Sequence, residues 1–197
     1  MEQKPLTEQT AHLMLTTAQI FSNEEIDRII AQGKDLQEEE AIVNGLQGSG
    51  VKLNTRTCKI GWFYPGEDTN WIFDKIIDVI NEANNTYFKF ELNQFEPLQF
   101  TSYDSSRKEF YGPHIDCTMG IPHTTASRKL SITIQLSAPE DYDGGTLQLF
   151  QGQQPVLAPK DKGQLTCFPS FVLHEVTPVT RGTRYSLVTW VHGPLFR

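Results

Sequence analysis

Apolar residues recur every three or four positions in two stretches near the amino terminus and every second position in many short stretches after them. Ser22-Asn23-Glu24-Glu25 has the form of a capping box, with Ser22 as N-cap and Glu25 three residues on, and Ile26, Ile29 and Ile30 continue it as a helical stripe to about Gly33. A second helix is predicted after Asp68-Thr69, with Ile72, Ile76, Val79, Ile80 and Ala83 at helical spacing. Residues 1 to about 16 read as a loosely held polar segment or as a first edge strand through His12-Leu13-Met14-Leu15, residues 35–51 as a glycine-punctuated surface loop, and Thr55 to Tyr64 as one strand ended by Pro65-Gly66.

From Phe95 the period changes to two. Leu130, Ile132, Ile134 and Leu136 fall on one face of a strand, and Ser131, Thr133 and Gln135 on the other. The apolar face calls for a packed second layer. The polar face is costly to bury dry and points to a wet pocket. Asp143-Gly144-Gly145 marks a turn, and Thr146–Phe150, Gln164–Phe168, Val172–Val176 and Arg184–Val191 supply further strands. Two helices followed by short strands with frequent turns predict an α+β, mainly β fold: a double-stranded β-helix, or jelly roll, with supporting amino-terminal helices. We expect one domain over 1–197, with helical support over about 17–90 and the jelly-roll core over about 95–192.

Bulk composition narrows the partners. The chain has 197 residues, with 24 acidic against 17 basic side chains and a formal charge of −7. That balance argues against non-specific affinity for a phosphate backbone and leaves room for contact through a local basic patch. Cys58, Cys117 and Cys167 are odd in number and widely spaced, which fits a reducing compartment rather than a disulfide framework. The first residues lack a basic region followed by an apolar run, and no apolar stretch is long enough to span a bilayer, so a cytoplasmic location is expected.

The candidate chemistry begins at Gly112-Pro113-His114-Ile115-Asp116. Residues i and i+2 of an extended strand share a face, so His114 and Asp116 can reach one metal ion. A remote imidazole, His174, completes two histidines and one carboxylate, the ligand set of non-haem Fe(II) oxygenases. His174 alone reads more readily as a core residue of an apolar strand than as a ligand. Arg184 shifts the balance. It follows across Thr177–Gly182 and is expected to begin the antiparallel neighbour of the His174 strand. Arg184, Ser186, Val188 and Trp190 share one face, and an inward guanidinium needs a partner. A dicarboxylate co-substrate would supply one, gripped bidentately by Arg184 with help from the Ser186 hydroxyl. Arg181, in the turn, reads as a surface charge.

The run H-x-D, then DGG, then FPS-x-x-x-H-x-V-T-P-V-T-R-G-x-R-x-S resembles the prolyl 4-hydroxylase-like 2-oxoglutarate- and Fe(II)-dependent dioxygenases, and among them the PKHD-type hydroxylases, over roughly residues 84–197. The resemblance implies Fe(II) on His114, Asp116 and His174, with 2-oxoglutarate and O2 as co-substrates and ascorbate as a reductant. It implies 2-oxoglutarate on Arg184, with Tyr103 acting on the same molecule. Gln135 stands where relatives often carry a tyrosine reaching that carboxylate, and Trp190 matches a pocket-lining position. The expected reaction is hydroxylation of a peptide or small molecule, such as a prolyl residue or a free amino acid, with release of succinate and CO2.

The polar segment Met119 to Ser127 reads as a substrate loop or, equally, as a plain surface connection. Met119, His123 and Arg128 are its candidate substrate-facing residues, and His123 is taken as a loop histidine rather than a fourth ligand. Two rival functions are a nucleic-acid demethylase of the same fold and a non-catalytic jelly-roll metal-binding module. The first places a second arginine where this chain has Trp190. The second has no need of an inward Arg184.

Overall fold

The computed structural model describes residues 13–36, 55–117 and 126–195, and the backbone of 39–40, 43–45 and 48–50. The amino-terminal part carries β1 (Leu15–Gln19), α1 (Asn23–Asp35), β2 (Glu39–Glu40), β3 (Val43–Gly45), β4 (Gly48–Gly50), β5 (Arg56–Thr57), β6 (Lys59–Phe63) and α2 (Asn70–Ala83). The rest is strand-rich: β7 (Gln94–Phe95), β8 (Leu98–Asp104), β9 (Phe110–His114), β10 (Ala126–Gln135), β11 (Tyr142–Gly144), β12 (Leu147–Phe150), β13 (Pro155–Leu157), β14 (Gln164–Pro169), β15 (Leu173–Val176) and β16 (Val179–Pro194). Together they form the expected jelly roll with helical support.

Two sheets carry the architecture. The major sheet runs β1-β14-β10-β16-β8-β6-β2, with β7 and β11 also pairing with β16. The minor sheet runs β13-β12-β15-β9-β5. The two faces of the major sheet explain its side-chain alternation. On the outer face Ile26 and Ile29 of α1 and Ile72, Ile76 and Ile80 of α2 pack against Leu98, Phe100, Leu130, Ile132, Ile134, Leu165, Leu187 and Val191. Each such aliphatic side chain, fully buried, contributes on the order of 1.5–3 kcal/mol. On the inner face Tyr103 and Phe168 meet Leu147, Leu149 and Val176 of the minor sheet. The polar residues read as facing a pocket lie on this inner side.

Helix α1 begins as the sequence predicts. Ser22 Oγ accepts from Glu25 N at 3.2 Å, and Glu25 Oε2 accepts from Ser22 N at 2.8 Å. The helix runs two residues past Gly33, because Gly33 is packing rather than ending: a Cβ there would lie 2.4 Å from the Phe100 ring.

Several boundaries differ from expectation. The edge strand is Leu15–Gln19, beyond the predicted His12–Leu15, because its partner is β14 with Leu15 opposite Cys167. The predicted loop over 35–51 contains β2, which pairs with β6, and the β3–β4 hairpin. The region expected to be helical support thus also adds strands to the major sheet. The single strand over 55–64 is two strands: β5 pairs with β9 in the minor sheet and β6 with β8 in the major, and the chain changes sheet at buried Cys58. A small apolar residue leaves no break in the sequence pattern. The expected turn over Thr177–Gly182 is strand from Val179 onward, with Tyr142 opposite Gly182. The neighbour assignment for Arg184 is also corrected: β15 pairs with β12 and β9, whereas β16 pairs with β10 and β8. Thr177-Pro178 carries the chain from one sheet to the other, so His174 and Arg184 face each other across the sandwich.

Candidate active site

His114 ends β9 and pairs directly with His174 of β15. Asp116 lies just past the strand, where its N–H donates to the Ser170 carbonyl at 2.9 Å. The ligand-type atoms of His114, Asp116 and His174 all lie within 4.8 Å of one another. His114 Nδ1 lies 2.8 Å from the Gly112 carbonyl, and His174 Nδ1 lies 2.9 Å from the Val172 carbonyl. A carbonyl only accepts, so each Nδ1 carries a proton and Nε2 is the nitrogen turned toward the cluster. Both Nε2 atoms face Asp116, at 3.5 Å from Oδ1 for His114 and 3.4 Å from Oδ2 for His174.

The carboxylate is held as well. Ser131 Oγ donates to Asp116 Oδ2 at 2.7 Å and lies 2.9 Å from Ser170 Oγ. Burial alone raises the Asp116 carboxyl, yet the two imidazoles facing it draw it well below the usual carboxylate range, so it stands ionised. Burial lowers His114, which favours the neutral ring. Two imidazoles and one ionised carboxylate, each oriented by a further hydrogen bond, suit Fe(II).

A pocket opens from this cluster along the inner face of the major sheet. Its walls include Tyr111, Ser131, Thr133, Val188 and Trp190, and it reaches Tyr103, Ser186 and Arg184. Arg184 is 3% exposed. Its Nε donates to Gln135 Oε1 at 3.1 Å, an Nη reaches Ser186 Oγ at 3.4 Å, and the guanidinium carbon lies 5.6 Å from the Tyr103 ring centre. None of these partners is a carboxylate. Gln135 is itself fixed, donating to the Tyr142 hydroxyl at 3.0 Å. Burial raises the Tyr103 phenol, which keeps its proton and remains a donor.

The sequence reading gathered His114, Asp116, His174, Tyr103, Arg184, Ser186 and Trp190, and the fold brings these around one cleft, while Gln135, also expected there, lies behind Arg184 and reaches the cleft only through it. Arg128 is a correction. It lies within β10, where Nε and Nη2 hold Glu96 Oε1 and Oε2 at 2.6 and 2.7 Å and the guanidinium covers Trp190 at 3.8 Å. A side chain locked bidentately in a strand is not part of a loop. Met119 and His123 lie outside the described residues. Arg181 is exposed as expected, and it pairs with Asp143 at 2.7 Å.

The sequence reading missed three contributors. Tyr111 stacks on His114 with ring centres 3.5 Å apart and planes 13° apart. Ser131 was read only as a polar wall position. Lys160 lines the space behind Arg184 and donates to the Gly144 carbonyl at 2.5 Å. The signal for Tyr111 was the bulge-forming Gly112-Pro113. His114 lies opposite His174 but Tyr111 lies opposite Val176, so three positions on β9 match two on β15. That extra residue turns Tyr111 and His114, three apart, to the same face.

The features define a class, and similarity to known proteins agrees. Residues 98–192 match the 2OG-Fe(II) oxygenase superfamily. Fe(II), 2-oxoglutarate and O2 are the cofactor and co-substrates of that superfamily. More particularly, the chain is 44% identical over 86 residues to a PKHD-type hydroxylase of Synechococcus sp. (strain JA-2-3B'a(2-13)), a match covering 42% of this chain and 38% of that protein. The chain thus spans about two fifths of the length of that curated relative. Its fold is shared by the viral collagen prolyl hydroxylase of Paramecium bursaria Chlorella virus-1 in its 2OG complex, with a TM-score of 0.71 at 20% identity over 95% of this chain and 99% of that one. It is also shared by a prolyl hydroxylase from Trichoplax adhaerens in complex with a hypoxia inducible factor peptide fragment, with a TM-score of 0.73 at 17% identity over 92% and 84% of the two chains. Among the described residues no helix is long and apolar enough to cross a membrane.

Proposed function

We propose that the protein hydroxylates a prolyl residue in a peptide or a free amino acid, converting 2-oxoglutarate to succinate and CO2. In this reading His114 Nε2, Asp116 and His174 Nε2 hold Fe(II), which when bound supplies the activation of O2. Arg184 and Ser186 receive the distal carboxylate of 2-oxoglutarate. Gln135 fixes the plane of the guanidinium, Tyr103 donates its phenolic hydrogen into the same space, and Val188 and Trp190 exclude water along the wall. The single observation that carries the reading is Arg184, a buried cation with no carboxylate partner among the described residues, at one end of a cleft whose other end is the His-Asp-His cluster. A guanidinium is seldom left so unless an anion arrives to complete it. A barrel that only bound a metal would have no use for it. The prolyl alternative draws further support from the two structural neighbours, a collagen prolyl hydroxylase and a prolyl hydroxylase bound to a peptide fragment.

The test is succinate release with Fe(II), ascorbate, O2 and 2-oxoglutarate against a panel of proline-containing peptides, free amino acids and small metabolites. One substrate should release succinate in step with its own hydroxylation, and His174→Ala should be inactive. If neither turnover nor 2-oxoglutarate binding is measurable in Fe(II)-loaded protein, the metal-binding-module reading replaces this one.

A further inference from the structure

Arg56 stands out among the buried side chains that the proposed chemistry leaves unused. It is 7% exposed, and its partners are the Cys58 sulfur at 3.0 Å from Nε, the Gln99 amide oxygen at 2.8 Å from Nη2 and the Tyr111 ring. None of them is a carboxylate. Taking a guanidinium out of water without an opposite charge disfavours folding. Such an arrangement marks a place where stability has been given up for something else.

We infer that Arg56 is a positioning residue for the metal centre, holding Tyr111 and, through it, the His114 ring in the orientation that aims Nε2 into the cleft. The inference rests on the metal reading given above.

The geometry supports each link. Arg56 of β5 lies directly opposite Tyr111 of β9, and its guanidinium carbon is 4.5 Å from the Tyr111 ring centre. Tyr111 in turn lies nearly parallel to His114, with ring centres 3.5 Å apart. The one-residue bulge at Gly112-Pro113 is what brings these two rings onto one face. A Cβ on Gly112 would sit 3.3 Å from the Thr55 carbonyl, which accepts from Gly112 N at 2.8 Å, so β5 fastens to β9 at the bulge itself.

His114 therefore has two restraints. The Nδ1 contact to the Gly112 carbonyl fixes its tautomer and one in-plane direction. That contact alone leaves the ring free to tilt about the Nδ1–carbonyl axis, and the stack on Tyr111 removes the tilt. Tyr111 is a ring at the edge of an open cleft and needs a backing of its own. A cation over its face supplies one that water cannot displace, because the cation is buried. The short strand β5, two residues long, acts as the mount for that cation.

The test compares wild type with Arg56→Met, Arg56→Lys and Tyr111→Leu, using calorimetric titration of Mn(II) and thermal melting of the metal-free proteins. Arg56→Met keeps the bulk and removes the charge. Its Mn(II) dissociation constant should rise on the order of tenfold, in the range seen when a residue orienting a metal ligand is lost. Its melting temperature should stay the same or increase, since an uncompensated buried cation is gone. Arg56→Lys keeps a cation over the ring and should restore most of the affinity. Tyr111→Leu breaks the same chain at its other link and should weaken Mn(II) about as much as Arg56→Met, which decides the matter even if Arg56→Met does not fold. Wild-type affinity in Arg56→Met or Tyr111→Leu overturns the inference and leaves the metal reading intact. So does a melting temperature that falls in step with affinity across all three variants, because that is the behaviour of an ordinary core residue. Failure of the wild type itself to bind Mn(II) overturns the metal reading and this inference together.

Discussion

Ser131 donates its hydroxyl hydrogen to Asp116 Oδ2 across 2.7 Å, tying strand β10 of the major sheet to the carboxylate that follows β9 in the minor one. The contact leaves Oδ1 the less encumbered oxygen and fixes the plane of the carboxylate. Ser131→Ala should therefore weaken Mn(II) or Fe(II) binding by roughly tenfold to a hundredfold, the usual cost of losing a group that orients a metal ligand. Equilibrium dialysis checks this, and unchanged far-ultraviolet circular dichroism should accompany the loss.

Loss of Arg184 should harm the co-substrate and spare the metal. A charge-assisted hydrogen bond contributes about 1.5–3 kcal/mol, or on the order of tenfold to a hundredfold in affinity. Arg184→Ala should lose that much 2-oxoglutarate affinity in anaerobic, Fe(II)-loaded protein. Arg184→Lys should recover only part, because an ammonium keeps the charge and lacks the fork. Titration calorimetry of all three proteins makes the comparison.

Gly145 lies against the same arginine. Its φ is +55°, and a Cβ there would be 2.9 Å from Arg184 Cδ and 2.9 Å from Val179 Cγ2. Gly145→Ala combines a strained backbone with a displaced guanidinium. We expect a lower melting temperature and weaker 2-oxoglutarate binding, with Mn(II) affinity within about twofold of wild type as expected for distant sites that do not couple.

Asp104 links stability to pH. Hydrogen bonds from Ser106, then the Thr183 hydroxyl, hold its carboxyl below the ordinary value. A depressed carboxylate stabilises the fold above its unfolded pKa of about 3.9, and that contribution disappears as pH falls through the lower, folded value. Asp104→Asn should thus cost about 1 kcal/mol at pH 7, the net value of an ordinary hydrogen bond, and much less at pH 2–3. Urea unfolding at the two pH values tests the sign.

Parts of this molecule are legible in the chain because one physical cause writes each of them. The stripe Ile72, Ile76 and Ile80 has a single face to bury, and it is buried. The alternation Leu130 to Leu136 separates a face packed under helices from a face lining the cleft, and β10 keeps that division. The site residues were readable because metal ligation and anion binding demand particular residue types at short spacings.

What the chain conceals depends on partners distant in sequence. Nothing local tells Arg184 that its strand pairs with β8 and β10 rather than with the His174 strand, since a two-residue hairpin and a two-residue crossover look alike. Arg128 was misassigned for the same reason: Glu96, which locks it, lies 32 residues away. Arg56 carried no signal at all, because its meaning lies in Tyr111 across the sheet.

The crossover at Thr177-Pro178 has a mechanical consequence. His174 is anchored in one sheet and Arg184 in the other, so a five-carbon diacid spanning metal and guanidinium would be a strut wedged between two plates. Its length, measured against the gap, would reject shorter and longer diacids without any group dedicated to recognising them. The same strut would resist the plates sliding or parting, so occupancy by co-substrate would stiffen the whole sandwich, including strands that never touch it.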